Sequence, residues 1–424
     1  MENYAGPFDP DFDLGKLSRA ALAVLGREYL LVVHLQDRAG LPQVMARFGT
    51  KAMKDVAIEE WMGASPVYTA RMQRALGFTG NDVATIFKGI QLDVGAPHQF
   101  MDFRFTVTDA HHGEFRLAHC GALMDVEPMG EELVRGMCHD IEDPTFDATA
   151  VATNPLAQMR PIHRPPRSPA GRLPHCHWRV DIEADGEAAR EIPLTARVRD
   201  ARVSRVSVEA PEPRESGGWA DYSGPFDPDF QLEDLAQPAQ VVASGEFCLQ
   251  GHLLVRALMM SVADRFGEDA AREVANAQFT GIAGLGARRL AAAMAIDGDD
   301  PAAIAKLLQL HPAFRPREYV DFHVELDPDG VRCWIGPCPA FEEADGYSWL
   351  ALLGPDPHAA LNAMVRELNP RARCHPCDVP GAQVAWRVEI DSSAEPAPEP
   401  PEVQLTAIST GASFVFEQRR PVRR

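Results

Sequence analysis

The chain has 424 residues, 46% of them hydrophobic and 24% charged, with a formal net charge of -20 and a pI near 5.1. That balance excludes nucleic acid and anionic membrane as partners, because binding phosphate calls for a cationic surface. No apolar run approaches the roughly 18 residues of a membrane span, and the N-terminus carries no basic or apolar leader region, so the expected protein is cytoplasmic, with thiols rather than disulfides.

The first element is a nonapeptide, Tyr4 to Phe12, that returns at Tyr222 to Phe230 with only Ala5 changed, to Ser223. The offset of 218 positions between Tyr4 and Tyr222 also lays His34 and Arg38 on His252 and Arg256, Arg71 on Arg289, and Cys120 on Cys338. Later matches drift, as from Trp178 to Trp386 and from Leu194 to Leu405, which places length changes in the loops. Self-similarity at a fixed period is the mark of a repeated unit. The expectation is a tandem duplication of an α+β unit, with a first repeat at 1–210, a linker at 211–221 and a second repeat at 222–424. Units of about 200 residues are large enough for a core each.

Within the first repeat, Ser18 is placed to cap a helix bearing Leu22, Leu25, Tyr29, Val32 and Val33 at three- and four-residue steps. Pro42 opens the next helix, and shorter helices follow near 67–76 and 82–90. The period then changes to two. Met101, Phe103, Phe105 and Val107 alternate with polar residues, giving a half-buried strand, and a second strand is expected near 115–126. A helix near 130–139 precedes strands near 178–182, 192–198 and 203–208. The second repeat shows helices at 267–296 and 301–310, then a strand at 320–326 turned by Asp329-Gly330. Each repeat reads as an N-terminal helical layer followed by a mostly antiparallel sheet. Stretches 161–174 and 392–401 are proline-rich and read as an irregular loop and a linker, the latter leading to a final hairpin. The basic end, Arg419 to Arg424, reads as a tail.

Chemistry-bearing residues gather in the β part of the first repeat: His111, His112, His119, Cys120, Cys138, His139, His163, His175, Cys176 and His177. Imidazole and thiolate are the ligands of zinc or another transition metal. Strand alternation puts His175 and His177 on one face, aimed at one ion, with Cys176 entering the core. His119, Cys120 and His163 complete the candidate set, and core thiols with loop histidines are the alternative. In the second repeat Cys333, Cys338, Cys374 and Cys377 form two close pairs able to hold a structural zinc, or four reduced thiols. His34 and His252, each followed by an arginine one turn on, are candidates to bind a ligand, or satisfied core histidines. Arg71 and Arg289 read as salt-bridged helix residues. Glu59 and Glu60 are adjacent, so their side chains diverge by about 100° on a helix, which favours a solvated face.

The run Cys138-His-Asp140, Asn154-Pro155, Arg160 and Cys176-His-Trp178 resembles the C-terminal pattern of α+β small-molecule domains related to L-2-aminothiazoline-4-carboxylate hydrolases and vinyl-reductase-like domains. The resemblance covers about 40 residues and implies Cys138 or Cys176 as nucleophile with His139 or His177 as base. The second repeat keeps Asn369-Pro370 and Trp386 without the cysteines.

These readings lead to an enzyme acting on a small polar molecule by metal-assisted or cysteine-dependent hydrolysis or lyase chemistry, its site in the first repeat. The alternative is a non-catalytic protein that binds a small ligand in the cleft between the repeats, with His34 and His252 facing each other. A homo-oligomer is compatible with either.

Overall fold

The computed structural model describes residues 1–327, 330–356 and 358–417. Asp329 of the expected hairpin turn and the basic end from Arg419 to Arg424 lie outside them. The first long helix, α1 (Arg19–Ala75), is capped by Ser18, whose side chain accepts from the Ala21 amide as expected. Pro42 does not open a new helix; it sits inside α1, and the break falls at Gly49, with φ 86° and ψ 170°. The fold-back there is sharp. Trp61 Nε1 donates to Asp37 Oδ2 at 2.9 Å, although 24 residues of straight helix would span about 36 Å. Only glycine enters that positive-φ conformation without a Cβ penalty.

There follow α2 (Val83–Ile90), β1 (Met101–Val107), β2 (His112–Cys120), α3 (Gly121–Val126), α4 (Glu131–Arg135), a π-helical segment (Gly136–Ile141), α5 (Glu142–Val151), β3 (Ala157–His163), β4 (Cys176–Ile182) and α6 (Pro193–Asp200). The second half contains α7 (Gln237–Phe266), α8 (Glu268–Ala293), α9 (Pro301–Leu310), β5 (Phe322–Asp327), β6 (Gly330–Ile335), α10 (Ala359–Arg366), β7 (Ala372–Pro376), β8 (Val384–Ile390) and α11 (Pro401–Thr406). Gly267, between α7 and α8, repeats the positive φ of Gly49.

Two four-stranded antiparallel sheets result, in the orders β1-β2-β4-β3 and β5-β6-β8-β7. In each, a fully buried tryptophan, Trp178 or Trp386, stands on the fourth strand in sequence.

Several expected strands are helical. The second strand stops at Cys120, whose sulfur caps α3 by accepting from the Leu123 amide. Residues 192–198 form α6, because Pro193 pre-sets the first helical turn and Leu194, Thr195 and Val198 share the buried face. Segment 203–208 holds only a 3₁₀ turn at Val203–Arg205. The expected final hairpin is α11, and part of the expected loop after Pro161 belongs to β3. The helix near 130–139 is broken into α4 and the π-helical turn.

The core does not divide at the linker. One apolar cluster runs from Tyr4 to Val388 and takes in residues of both halves, in place of the two separate cores expected. Segments cross over reciprocally. The Tyr4 hydroxyl donates to Gln309 Oε1 at 2.6 Å, and that of Tyr222 to Gln91 Oε1 at 2.8 Å. Lys306 donates to the carbonyls of Tyr4 and Gly6, and Lys88 to those of Tyr222 and Gly224. Each nonapeptide is thus docked on the opposite half. Among the described residues, no helix is long and apolar enough to cross a membrane.

Candidate functional site

Where α1 folds back at Gly49, its two arms bring together polar groups far apart in sequence. Asp37 lies on the first arm and Glu60 on the second. Glu60 is fully buried and Asp37 5% exposed, so the divergence of Glu59 and Glu60 sends only Glu59 outward, to Ser261 and Arg265. The expected solvated face for the pair therefore holds for Glu59 and fails for Glu60. Burial and the neighbouring Asp37 carboxyl push Glu60 well above the usual carboxylate range, and among the described residues neither Glu60 oxygen has a hydrogen-bond partner. Burial also raises Asp37, less strongly because Arg38 and the Trp61 indole oppose it. Burial and a neighbouring carboxyl both oppose ionisation at Glu60, which is therefore held in its neutral form.

Asp37 lines a cavity of about 140 Å³, together with His34, Arg38, Trp61, Tyr68, Asp93 and Glu142. Its remaining walls are largely apolar and include Met101, Phe103, Met137 and Ile141. His34 is fixed through Nδ1, which contacts the Val94 carbonyl at 3.1 Å, while its buried Nε2 has no protein partner. With Nδ1 as donor, Nε2 carries the lone pair. Burial and Arg38 lower the imidazole from 6.5 to about 3, so it is neutral at pH 7. Gln250 of the second half holds the Val94 segment by its side-chain amide, accepting from Val94 N and donating to Leu92 O.

Arg38 donates through Nε to Asp125 at 2.9 Å, leaving Nη2 buried without a partner. Tyr68 donates to Asp93 at 2.9 Å, and burial raises that carboxyl to about 6. Glu142, which opens α5 after the π-helical turn, is raised by burial to about 8. Such turns recur at functional sites because they re-aim side chains. Three perturbed carboxyls, Asp37, Asp93 and Glu142, and a neutral imidazole around one cavity form the pattern expected of a site for acid–base chemistry.

A second cavity of about 240 Å³ shares Asp37, Arg38, Leu41, Met137 and Ile141 with the first. Met45, Met53, Met129, Leu133 and Ile408 make it almost wholly apolar. Leu405, Ile408 and Ser409 come from the second half, held where Asp125 accepts from the Ser409 hydroxyl and the Thr410 amide, each at 2.7 Å.

The second half does not repeat this set of side chains at the matching positions. The positions of Asp37, Glu60, Trp61, Tyr68 and Asp93 correspond, at the offset of Tyr4 to Tyr222, to Val255, Gln278, Phe279, Gly286 and His311. The space near His252 shrinks to about 20 Å³, with Trp349 in its wall and donating to Gln278 at 3.3 Å. His252 gives its Nε2 to the Arg315 carbonyl at 3.0 Å. His34 and His252 border different cavities and do not face each other across a cleft.

The His/Cys candidates are dispersed. His175 approaches His119, ring centres 5.8 Å apart, with Phe414 stacked over His119. His177 instead meets Glu114 at 2.9 Å and His163 at 6.1 Å between ring centres. The two do not aim at one point, because His175 precedes β4 and follows its own path, while Cys176 enters the core as expected. His139 contacts the Pro165 carbonyl at 2.7 Å. Cys138 and Cys176 are buried, and burial drives both thiols far above their usual range. Cys120 rises to about 12 by burial and contacts the Met101 sulfur at 3.6 Å.

In the second sheet Cys333 and Cys374 are buried, Cys377 is partly exposed, and burial raises all three. Cys338 is buried beyond the end of β6. Among the described residues, no three His, Cys, Asp or Glu side chains come together to hold a metal ion. Thiolate formation, which nucleophilic attack and zinc binding both need, is opposed by burial at Cys120, Cys138, Cys176, Cys333 and Cys374. Compared with known protein families, curated proteins and solved structures, the chain matches none.

Proposed function

We propose that the chain is a small-molecule hydrolase or lyase whose site is the first-half chamber, and that its chemistry is proton transfer by the Asp37–Glu60 pair. The observation that carries this reading is that Asp37, His34 and Arg38 line one largely apolar cavity, with Asp37 Oδ1, His34 Nε2 and Arg38 Nη2 buried and unpartnered among the described residues. Asp37 touches the cavity and would serve as general base, while Glu60 stands behind it and sets its protonation. Neutral His34 offers an acceptor to a substrate hydroxyl, amine or water. General acid–base assistance is worth about 10²–10⁴-fold in rate.

The same reading includes an origin by tandem duplication, supported by the repeated nonapeptide, the repeated strand order and the reciprocal docking of the halves. After duplication the second copy would have lost Asp37 and Glu60 equivalents, to Val255 and Gln278, and kept the scaffold. That division of labour would account for Val255 and Gln278 at the positions matching Asp37 and Glu60.

The experiment is a hydrolase and lyase substrate panel run on the wild type beside Asp37→Asn, Glu60→Gln, Cys138→Ser and Cys176→Ser. Loss of turnover in the first two with retention in the cysteine variants supports the carboxyl pair. The opposite pattern would restore the cysteine mechanism. A binding protein without turnover is the second reading, favoured by the outer cavity, which residues of both halves enclose. Ligand-induced thermal stabilisation with no product would select it.

A further inference from the structure

The composite cavity also narrows the class of molecule it fits, and that narrowing rests on the first-half chamber being the site. Asp37 and Arg38 are adjacent, and both border the chamber and the apolar vestibule. One is an acceptor with capacity to spare, since Oδ2 accepts from the Trp61 indole and Oδ1 is buried without a partner among the described residues. The other is a donor with a buried Nη2 that meets nothing. His34, three residues before Asp37 on the same helix face, adds a second open acceptor at Nε2.

A carboxylate head would suit Arg38 but face Asp37, Asp93 and Asp125; an ammonium head would suit Asp37 but face Arg38. A primary amide presents N–H donors and a carbonyl acceptor side by side and satisfies both without adding charge. Leaving either buried group unpaired costs more than an ordinary hydrogen bond gains, so a head that pairs both is selected. The chamber is about 140 Å³, many times the roughly 10–15 Å³ that one water needs. The vestibule, about 240 Å³ and walled by Met45, Met53, Leu133, Met137 and Ile408, suits a flexible apolar body.

We infer that the site takes a neutral primary amide carrying an aliphatic chain, its amide nitrogen donating to Asp37, its carbonyl accepting from Arg38, and its chain lying in the methionine-lined vestibule. The reaction that follows is hydrolysis. Water adds to the carbonyl carbon, its proton passing to Asp37; the C–N bond breaks as that proton reaches the nitrogen, giving the carboxylic acid and ammonia, and the acid's proton then passes to ammonia to give carboxylate and ammonium.

The probes are octanamide, octanoate and octylamine, titrated calorimetrically into the full-length protein, with ammonium release measured in parallel. Octanamide is expected to bind at least about tenfold tighter than either charged analogue. Met53→Trp, which fills the vestibule, should weaken octanamide by a similar factor, and Met137→Trp serves if Met53→Trp does not fold. Glu60→Gln should bind octanamide and release no ammonium. Octanoate or octylamine binding as tightly as octanamide would overturn the assignment of ligand class. Octanamide binding that Met53→Trp weakens, without ammonium release by the wild type, would keep the class and sink the hydrolytic reading. Turnover of short polar substrates with no binding of octanamide would do the reverse.

Discussion

Arg71 grips Glu246 in a buried two-pronged ion pair, Nε to Oε2 at 3.0 Å and Nη2 to Oε1 at 2.7 Å, and Arg289 grips Glu28 in the same way at 2.8 and 2.9 Å. Each pair joins one half to the other, with the two roles exchanged. The arginines also bind crossing backbone: Arg71 takes the carbonyls of Ser204 and Val206, and Arg289 those of Gly411 and Phe414. This is the self-complementary arrangement of a two-fold interface, realised within one chain.

Removing one partner of a buried ion pair strands the other charge, so Arg71→Met should lower stability by about 3–5 kcal/mol. The double variant Arg71→Met/Glu246→Leu should recover much of that loss. Urea denaturation of the four members of this cycle checks it. A double variant no more stable than the single would show that the backbone contacts of Arg71, and not the charge pair, dominate.

Because the nonapeptides and ion pairs are exchanged, segment 1–210 produced alone should be unfolded or self-associated. Produced together with 211–424 as a separate chain, it should yield a one-to-one complex. Size-exclusion chromatography with far-ultraviolet circular dichroism decides the matter, and a well-folded monomer of 1–210 would contradict the shared core.

The Asp37–Glu60 pair should cost the fold stability. Gln278 occupies the position of Glu60 in the second half, so Glu60→Gln is compatible with the local packing and should raise stability by about 0.5–2 kcal/mol while abolishing activity. Calorimetric melting at pH 7–8 would show it. A merely structural Glu60 would predict the opposite sign.

Glu142 and His34 should bend the pH–stability profile in opposite directions. Burial raises Glu142 from 4.5 to about 8, so the folded state holds a proton that the unfolded state loses. Its contribution is greatest below pH 4.5 and is lost as pH rises towards 8. Burial lowers His34 from 6.5 to about 3, so its contribution is full above pH 6.5 and is lost as pH falls towards 3. Comparing each of Glu142→Gln and His34→Gln with the wild type across pH 4–9 isolates these effects. Parallel profiles would mean that solvent reaches the groups.

Burial should make most thiols inert. Cys377, the one cysteine that is partly exposed, should react with a disulfide reagent at pH 8, and the buried seven only on unfolding. Elemental analysis belongs beside it: about one zinc per chain with protected Cys333, Cys374 and Cys377 would restore a structural metal site.

What the sequence by itself determined is local. Alternation marks β1, Ser18 caps α1, and the helices at 82–90 and 301–310 stand close to their expected bounds. Such signals depend on neighbours within a few residues, where backbone geometry is sufficient cause. Only the tertiary structure decided that Pro42 lies within a helix, that 192–198 is helical, and that Glu60 is buried while Glu59 is not. The chamber depends on the fold-back at Gly49, which sets Asp37 against Glu60, and on Gln250 from the other half, which fixes the carbonyl that orients His34. Histidine and cysteine are abundant in the first sheet, but the fold buries the thiols and disperses the imidazoles. Glu60, expected on a solvated face, is instead buried because distant segments closed over it.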